Sequence, residues 1–379
     1  MPQISTVIDS AVICKQPGRY IGWPTIAKAP DGELLVVFSG DRDAHVDPFG
    51  KTCLVRSTDH GVTWSDAVVI NDTPLDDRDA GICIAPDGSL VVSWFTSHYD
   101  DYMGMTHYCR GEEARWSRAI SLVTDDDIAR WTHSDSGVKA GRRMGFWTVR
   151  STDGGRSWAP AVPSICCAPH GPIGLADGRM LFVGTGNFAR ETGDAYLGAA
   201  ESEDNGCSWE LIGRINALPR ASEDLGDGHA YLCEPHAIEV SPGHILGMAR
   251  YEEPGVPVEK RQQSMLWQFE SDDGGRSWSE PECTGILGKP PHLTALSDGD
   301  ILLTYGYRHE PYGQRACLSG DGGRTWDHGN EIVLRDDAPD GDLGYPASVE
   351  CDDGAICTVY YQKENREEKT VLMATRWRV

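Results

Sequence analysis

The sequence predicts an all-β chain folded as a six-bladed β-propeller with four antiparallel strands per blade, and three observations carry that prediction. The first is an octet, Ser-x-Asp-x-Gly-x-x-Trp, that occurs five times, at 57–64, 151–158, 202–209, 271–278 and 319–326. The second is a tight turn between two apolar runs, occurring six times, with its glycine at Gly32, Gly88, Gly178, Gly243, Gly299 and Gly354. The third is closure: the segments before Gly32 and after Gly354 together make about one more interval between turns, as a ring joined by its two ends requires.

Each element has a local cause. Contexts such as Ala-Pro-Asp-Gly-Glu-Leu-Leu-Val-Val-Phe place an Asp-Gly turn between β-forming runs, which is a hairpin signal. The octet begins where an apolar run ends, and its residues suit a second, outer hairpin turn. Its Asp can accept backbone N–H groups, its Gly can take positive φ, and its Trp can plug the turn against its own sheet. The octets are therefore read as structural. The interval from Gly88 to Gly178 is the long one, and an insertion is expected around 124–143, where Asp125-Asp126-Asp127 and Gly141-Arg142-Arg143 read as a surface loop. Residues 1–379 are read as one domain on this basis, a seven-bladed ring being the alternative count.

Composition narrows the partners. A formal net charge of −24 disfavours nucleic acid and anionic membrane, both of which require a basic footprint. The cysteines sit mostly in strand-like apolar runs without zinc spacing, so buried reduced thiols are expected, with no metal and no organic cofactor. The first residues have neither a basic start nor a long apolar core, and no apolar stretch nears the length of a membrane span. A cytoplasmic location is the expectation.

Counting outward from the turns gives the residues at one mouth of the ring. The inner strands begin near Gly22, Asp79, His170, Glu234, His292 and Tyr345, and the second strands end near Arg42, His98, Asn187, Arg250, Arg308 and Gln362. Polar strand ends meet solvent in any protein, but this set is far more ionisable than the strands between. Arg250 and Arg308 fall at equivalent positions in blades 4 and 5, and paired guanidinium groups suit a carboxylate ligand. Glu234 starts the hairpin that Arg250 ends. A phenol such as Tyr345 beside a glutamate can act as an activated nucleophile. The loop Gly-Asp-Arg-Asp-Ala-His-Val-Asp-Pro supplies Arg42, Asp43, His45 and Asp47, a source of a general acid.

With these features the chain resembles the sialidase superfamily, whose Asp boxes match the five octets over nearly the whole sequence. The resemblance implies a six-bladed propeller in which a tyrosine, assisted by a glutamate, attacks the anomeric carbon, an aspartate is the acid/base, and three arginines hold the substrate carboxylate. Gly-Tyr-Pro-Ala-Ser places Tyr345 as nucleophile, and Cys-Glu-Pro-His places Glu234 as its partner. Met-Ala-Arg and Tyr-Gly-Tyr-Arg place Arg250 and Arg308 as the second and third arginines. Asp47 is the closest match to the acid/base and Asp43 the second, while Asp79 matches an aspartate lining the pocket. Arg42, His45 and His170 are added as substrate-binding candidates.

The chain departs from the family at the first arginine, where Gly22 stands in Tyr-Ile-Gly-Trp-Pro. It departs again at Gln362, where the family has a glutamate that orients that arginine. With no arginine to orient, an amide removes a buried charge, so the two changes are expected to go together. The expectation is an exo-acting, retaining glycoside hydrolase releasing a terminal acidic sugar, with a glycan as its partner. A neutral-sugar glycosidase or polysaccharide lyase using His45 or His170, and a carbohydrate-binding propeller without turnover, are the alternatives.

Overall fold

The computed structural model describes residues 5–42, 45, 50–73, 75–97, 145–186, 196–216, 230–252 and 265–379. They form six antiparallel sheets of four strands each. The innermost strands of blades 1 to 6 are Tyr20–Lys28, Asp76–Ile84, Ile173–Gly174, Tyr231–Ser241, Pro291–Ala295 and Gly344–Glu350. Inner strands of neighbouring blades touch and the last touches the first, except that blade 4's inner strand meets blade 3 at its second strand, Met180–Thr185. The six-bladed ring stands as read. The expected insertion at 124–143 lies outside the described residues.

Closure comes from the chain ends. Blade 6 contains Gly344–Glu350, Ile356–Gln362 and Val371–Arg378, and its outermost strand is Thr6–Cys14. That strand pairs with the last one from Thr6 opposite Arg378 to Cys14 opposite Leu372. Blades 1 and 6 then share one apolar cluster including Trp23, Phe38, Val359, Tyr361 and Leu372. Burying each such side chain contributes about 1.5–3 kcal/mol, so the joint is held by packing as well as by the ladder.

The octets close the outer hairpins of blades 1 to 5. In blade 1 the Ser57 hydroxyl donates to Asp59 Oδ1 (2.8 Å) and accepts from the Gly61 N–H (3.0 Å). Asp59 Oδ1 also accepts from the Thr63 N–H (2.8 Å), and the Trp64 indole N–H donates to the Gly61 carbonyl (3.0 Å). Gly61 takes φ +85°, where a side chain would be strained. In blade 5, hydrogen bonds from Thr325 and Ser319 hold the Asp321 carboxyl down to about 2. Blade 6 has no octet because its third and fourth strands come from opposite ends of the chain, so no turn joins them. The described cysteines form no disulfide, and none of the described helices is long and apolar enough to cross a membrane.

Candidate active site at the mouth of the propeller

One backbone device recurs at the start of the inner strands. In blade 4, Cys233 pairs with Arg250, but the next pair is His236 with Met248, so the inner strand carries one extra residue. The same step occurs after Gly22–Ser39 in blade 1, Arg78–Phe95 in blade 2 and Gly344–Tyr361 in blade 6. The residue just inside each bulge is Trp23, Asp79, Glu234 or Tyr345, with φ +54°, +54°, +51° and +52°. A bulge re-aims a side chain, and a non-glycine residue in this region is a strained choice that marks a functional site. Proline follows three of the four, removing an N–H donor where the ladder is broken.

These bulges bring together the pair expected from the sequence. The Tyr345 hydroxyl donates to Glu234 Oε1 at 2.6 Å, and Arg250 Nη1 donates to Glu234 Oε2 at 2.7 Å. Burial raises the Glu234 carboxyl, but Arg250, the Tyr345 hydroxyl and Arg308 outweigh it and hold Glu234 below the usual carboxylate range. Burial, with Glu234 and Asp79 nearby, pushes the Tyr345 phenol well above its ordinary value. The resting pair is thus a neutral phenol on an ionised carboxylate. Arg308 lies with its guanidinium carbon 5.8 Å from the centre of the Tyr345 ring, giving Nε to the Leu343 carbonyl (2.9 Å) and Nη2 to the Tyr361 hydroxyl (3.4 Å). Burial raises the Asp79 carboxyl to about 6, against the pull of the adjacent Arg78 at 3.3 Å.

The corner near blade 1 is built differently. A Cβ on Gly22 would meet Tyr20 and Tyr361 ring atoms, each at 3.5 Å, so two phenols stand where a longer side chain would run. The Tyr20 hydroxyl donates to Asp342 Oδ1 (2.8 Å) and lies 2.7 Å from His45 Nδ1. With its hydrogen given to Asp342, Tyr20 accepts from His45, which fixes the proton on Nδ1. Burial pushes His45 down to about 4 despite Asp342. Its ring sits edge-on to Trp23 at 4.8 Å, and the Arg78 guanidinium lies 4.5 Å from the Trp23 ring centre.

Four expectations are corrected. Arg42 has no exposed surface and its guanidinium grips Asp76 through both terminal nitrogens, so it ties blade 1 to blade 2 and does not reach a ligand. Gln362 does not face Gly22: Tyr361 does, and Gln362, on the alternate face of its strand, lowers the Asp337 carboxyl together with Arg335. The Gly22 and Gln362 changes are therefore not in contact. Arg250 and Arg308 are not equivalent, because Arg250 stands seven residues past its turn glycine, the place that Gly306 holds in blade 5. His170 is only 1% exposed and lies under the site, its ring 6.4 Å from that of Tyr345. Asp43 and Asp47 lie outside the described residues.

Beneath Tyr345, His170 forms a cluster with His236 and His292, with ring centres 4.3 to 5.6 Å apart. His236 Nδ1 accepts from the Leu293 N–H (3.0 Å), which puts its proton on Nε2, while His292 Nδ1 lies 3.3 Å from the Thr294 hydroxyl and 3.4 Å from the Ser348 N–H. Thr25 donates to the Pro169 carbonyl (2.8 Å) and hence accepts from His170 Nδ1 (3.1 Å). Among the described residues no group of three His, Cys, Asp or Glu side chains is arranged to hold a metal ion. Burial pushes all three well below their ordinary value, His236 to about 3, and mutual repulsion adds to it for His170 and His292.

Sequence reasoning missed Tyr20, Trp23, Arg78 and Asp342. The signal for the bulges was present, since an X-Pro step at Trp23, Glu234 and Tyr345 falls at one fixed distance before the turn glycine.

A family model described as BNR repeat-like domain matches residues 116–358. No curated protein matches the chain significantly. Among solved structures, a Dyadobacter fermentans protein of unknown function superposes with TM-score 0.74 at 22% identity, covering 99% of both chains. The NanB sialidase of Streptococcus pneumoniae superposes with TM-score 0.64 at 13% identity, covering 96% of this chain and 70% of that one. Trypanosoma rangeli sialidase in complex with the inhibitor DANA gives 0.59 at 13% identity, with 98% of this chain spanning 59% of it. Matched by that model over more than half its length, the chain, which shares its fold with these sialidases, belongs to the BNR repeat-like domain family.

Proposed function

We propose that the protein is an exo-acting, retaining glycoside hydrolase that releases a terminal acidic sugar, a sialic acid or a related 2-keto or uronic acid. The observation that carries this reading is the 2.6 Å hydrogen bond from Tyr345 to a carboxylate that Arg250 holds ionised. Tyr345 Oη attacks the anomeric carbon as its proton passes to Glu234 Oε1, so the nucleophile gains charge only as it needs it. The bond to the leaving oxygen breaks as that oxygen is protonated, a role assigned to Asp47, with Asp43 as the other carboxylate of that loop. Water then attacks the glycosyl-tyrosine, the same carboxylate taking its proton, and Glu234 returns the proton to the phenolate. A phenol suits a substrate whose own carboxylate would repel a carboxylate nucleophile, and Arg250 and Arg308 supply the cations that bind such a group.

The test is product release from aryl glycosides of sialic acids, uronic acids and neutral sugars, with wild type beside Tyr345→Phe. Release confined to acidic sugars and lost in the variant is expected. Release from neutral sugars alone, or release that survives in Tyr345→Phe, would falsify the reading.

A further inference from the structure

The internal repeat assigns a counterpart to Gly22 in four other blades. Ten residues before each turn glycine stand Gly22, Arg78, Cys233, Lys289 and Gly344 in blades 1, 2, 4, 5 and 6. Four of these pair directly with the residue seven past the same turn. Lys289 keeps the register through its N–H, which donates to the Gly306 carbonyl at 2.9 Å. Where blade 1 has no side chain, blade 5 has an ammonium.

That ammonium faces the same side of the mouth as Arg250 and Arg308. Lys289 Nζ donates to Glu252 Oε1 at 3.2 Å, and Arg250 Nε donates to the same oxygen. Arg250 also binds Glu234. Arg308 gives its hydrogen bonds to a carbonyl and a phenol, with Glu234 acting on it only at longer range. Three cations thus accompany two carboxylates on that side of the mouth, while Asp342, the next carboxylate, takes its partners from Tyr20, His45 and Lys363. Elsewhere at the mouth Arg42 is matched by Asp76 and Arg78 by Asp79. An ammonium has three N–H donors and Glu252 takes one, so Lys289 can hold Glu252 and a ligand oxygen together.

We propose that Lys289 joins Arg250 and Arg308 in binding the substrate carboxylate, supplying from blade 5 the third cation that blade 1, with Gly22, does not. The inference rests on the acidic-sugar reading above and names a specificity-determining residue for it. The alternative role for Lys289 is that of a counter-ion to Glu252 alone. The two roles differ in pH behaviour as well as in affinity. Burial, with Arg250 and Arg308 close by, lowers the Lys289 ammonium to about 8, and Glu252 opposes them. His309 is the other titratable neighbour and is itself held down by burial and by Lys289. A carboxylate grip that includes Lys289 therefore weakens as pH rises through about 8.

The test uses the full chain, Lys289→Met and Lys289→Arg, with nitrophenyl glucuronide, umbelliferyl N-acetylneuraminate and nitrophenyl glucoside as substrates. Calorimetric titration with free glucuronic acid and free N-acetylneuraminic acid reads binding independently of turnover. Loss of one charge-assisted contact is expected to raise KM for the acidic substrate, and Kd for the free acid, about tenfold or more in Lys289→Met. kcat should stay within about threefold. Lys289→Arg should recover most of the affinity and abolish the weakening above pH 8. Wild type and Lys289→Met binding the acid equally at pH 7, with acidic sugars still cleaved, would overturn this inference and leave the proposed function standing. A wild type that binds neither acid and cleaves neither acidic glycoside would overturn both. Thermal unfolding of each variant separates a lost ligand contact from a general loss of structure.

Discussion

The rim and the mouth of the propeller both repeat a residue of positive φ from blade to blade, and they fill that place with different chemistry. At the rim the fifth residue of each octet is glycine, from Gly61 at +85° to Gly323 at +91°, and the residue before it, also at positive φ, is Gly154, Gly274 or Gly322 in three octets and His60 or Asn205 in the other two. At the mouth it is Trp23, Asp79, Glu234 or Tyr345. A non-glycine residue in this region costs about 1 kcal/mol relative to an unstrained site, so the mouth gives up stability at every such position, whereas the rim keeps it at the fifth residue of every octet. The rim turns need only a shape, which glycine supplies without strain. The mouth needs particular side chains aimed at the axis, and the bulge that aims them leaves no room for a relaxed backbone. Charge follows the same division: Asp321 at the rim is held down to about 2 by its hydrogen bonds, whereas Asp79 at the mouth is raised to about 6.

If the division holds, substitutions at the mouth remove activity with little loss of stability, and substitutions at the rim do the reverse. The largest effect is expected for Tyr345→Phe, which should lower kcat by at least about a thousandfold. The same change should move unfolding free energy by no more than about 1–2 kcal/mol, because Glu234 keeps Arg250. Steady-state kinetics and denaturant titration on one preparation read both. Glu234→Gln should follow, with kcat down about a hundredfold or more and the pH dependence on its acid side lost. A variant that kept the acid limb would show that another group accepts the phenol proton. At the rim, a Cβ on Gly323 would lie 2.5 Å from a Leu246 methyl, and the residue has φ +91°. Gly323→Ala should therefore cost about 1–3 kcal/mol in denaturant titration while leaving kcat/KM within about twofold.

The smallest effect sharpens the comparison most. The raised Asp79 carboxyl means that its ionisation opposes folding: the penalty is absent below the ordinary value of 3.8 and complete above about 6. Asp79→Asn should accordingly stabilise the protein by about 1–2 kcal/mol at pH 7, with the gain vanishing near pH 4. Chemical unfolding at the two pH values checks the sign, and a destabilised variant at pH 7 would show that the ion pair with Arg78 matters more than the burial.

The architecture was legible because its signals are local. The octets and the Asp-Gly turns each complete their hydrogen bonds within a few residues, so their spacing alone counted the blades. Tyr345, Glu234 and Arg250 were legible as strand ends, and Glu234 was rightly set beside both of the others. What failed was phase. One extra residue in the inner strand changes which side chains face the axis, so counting could not choose between Tyr361 and Gln362 and matched Arg308 to Arg250. Arg42 was misread because a buried ion pair and a ligand contact demand the same residue types at the same strand end. Lys289 escaped notice because it precedes the first residue of its strand, and only the register of the other blades gives it a meaning.

The joint between Thr6–Cys14 and Val371–Arg378 has a temporal consequence. Tyr345 belongs to the one blade whose strands are drawn from both ends of the sequence. During synthesis the first strand must wait for the last, its ladder groups unpaired and its edge open to wrong neighbours. Blades 1 to 5 can each form from contiguous sequence as it emerges, but the nucleophile's blade cannot. Turnover, on the proposed function, would begin only with the final pairing, so a nascent or truncated chain would carry Glu234 and Arg250 without the complete sheet that positions Tyr345.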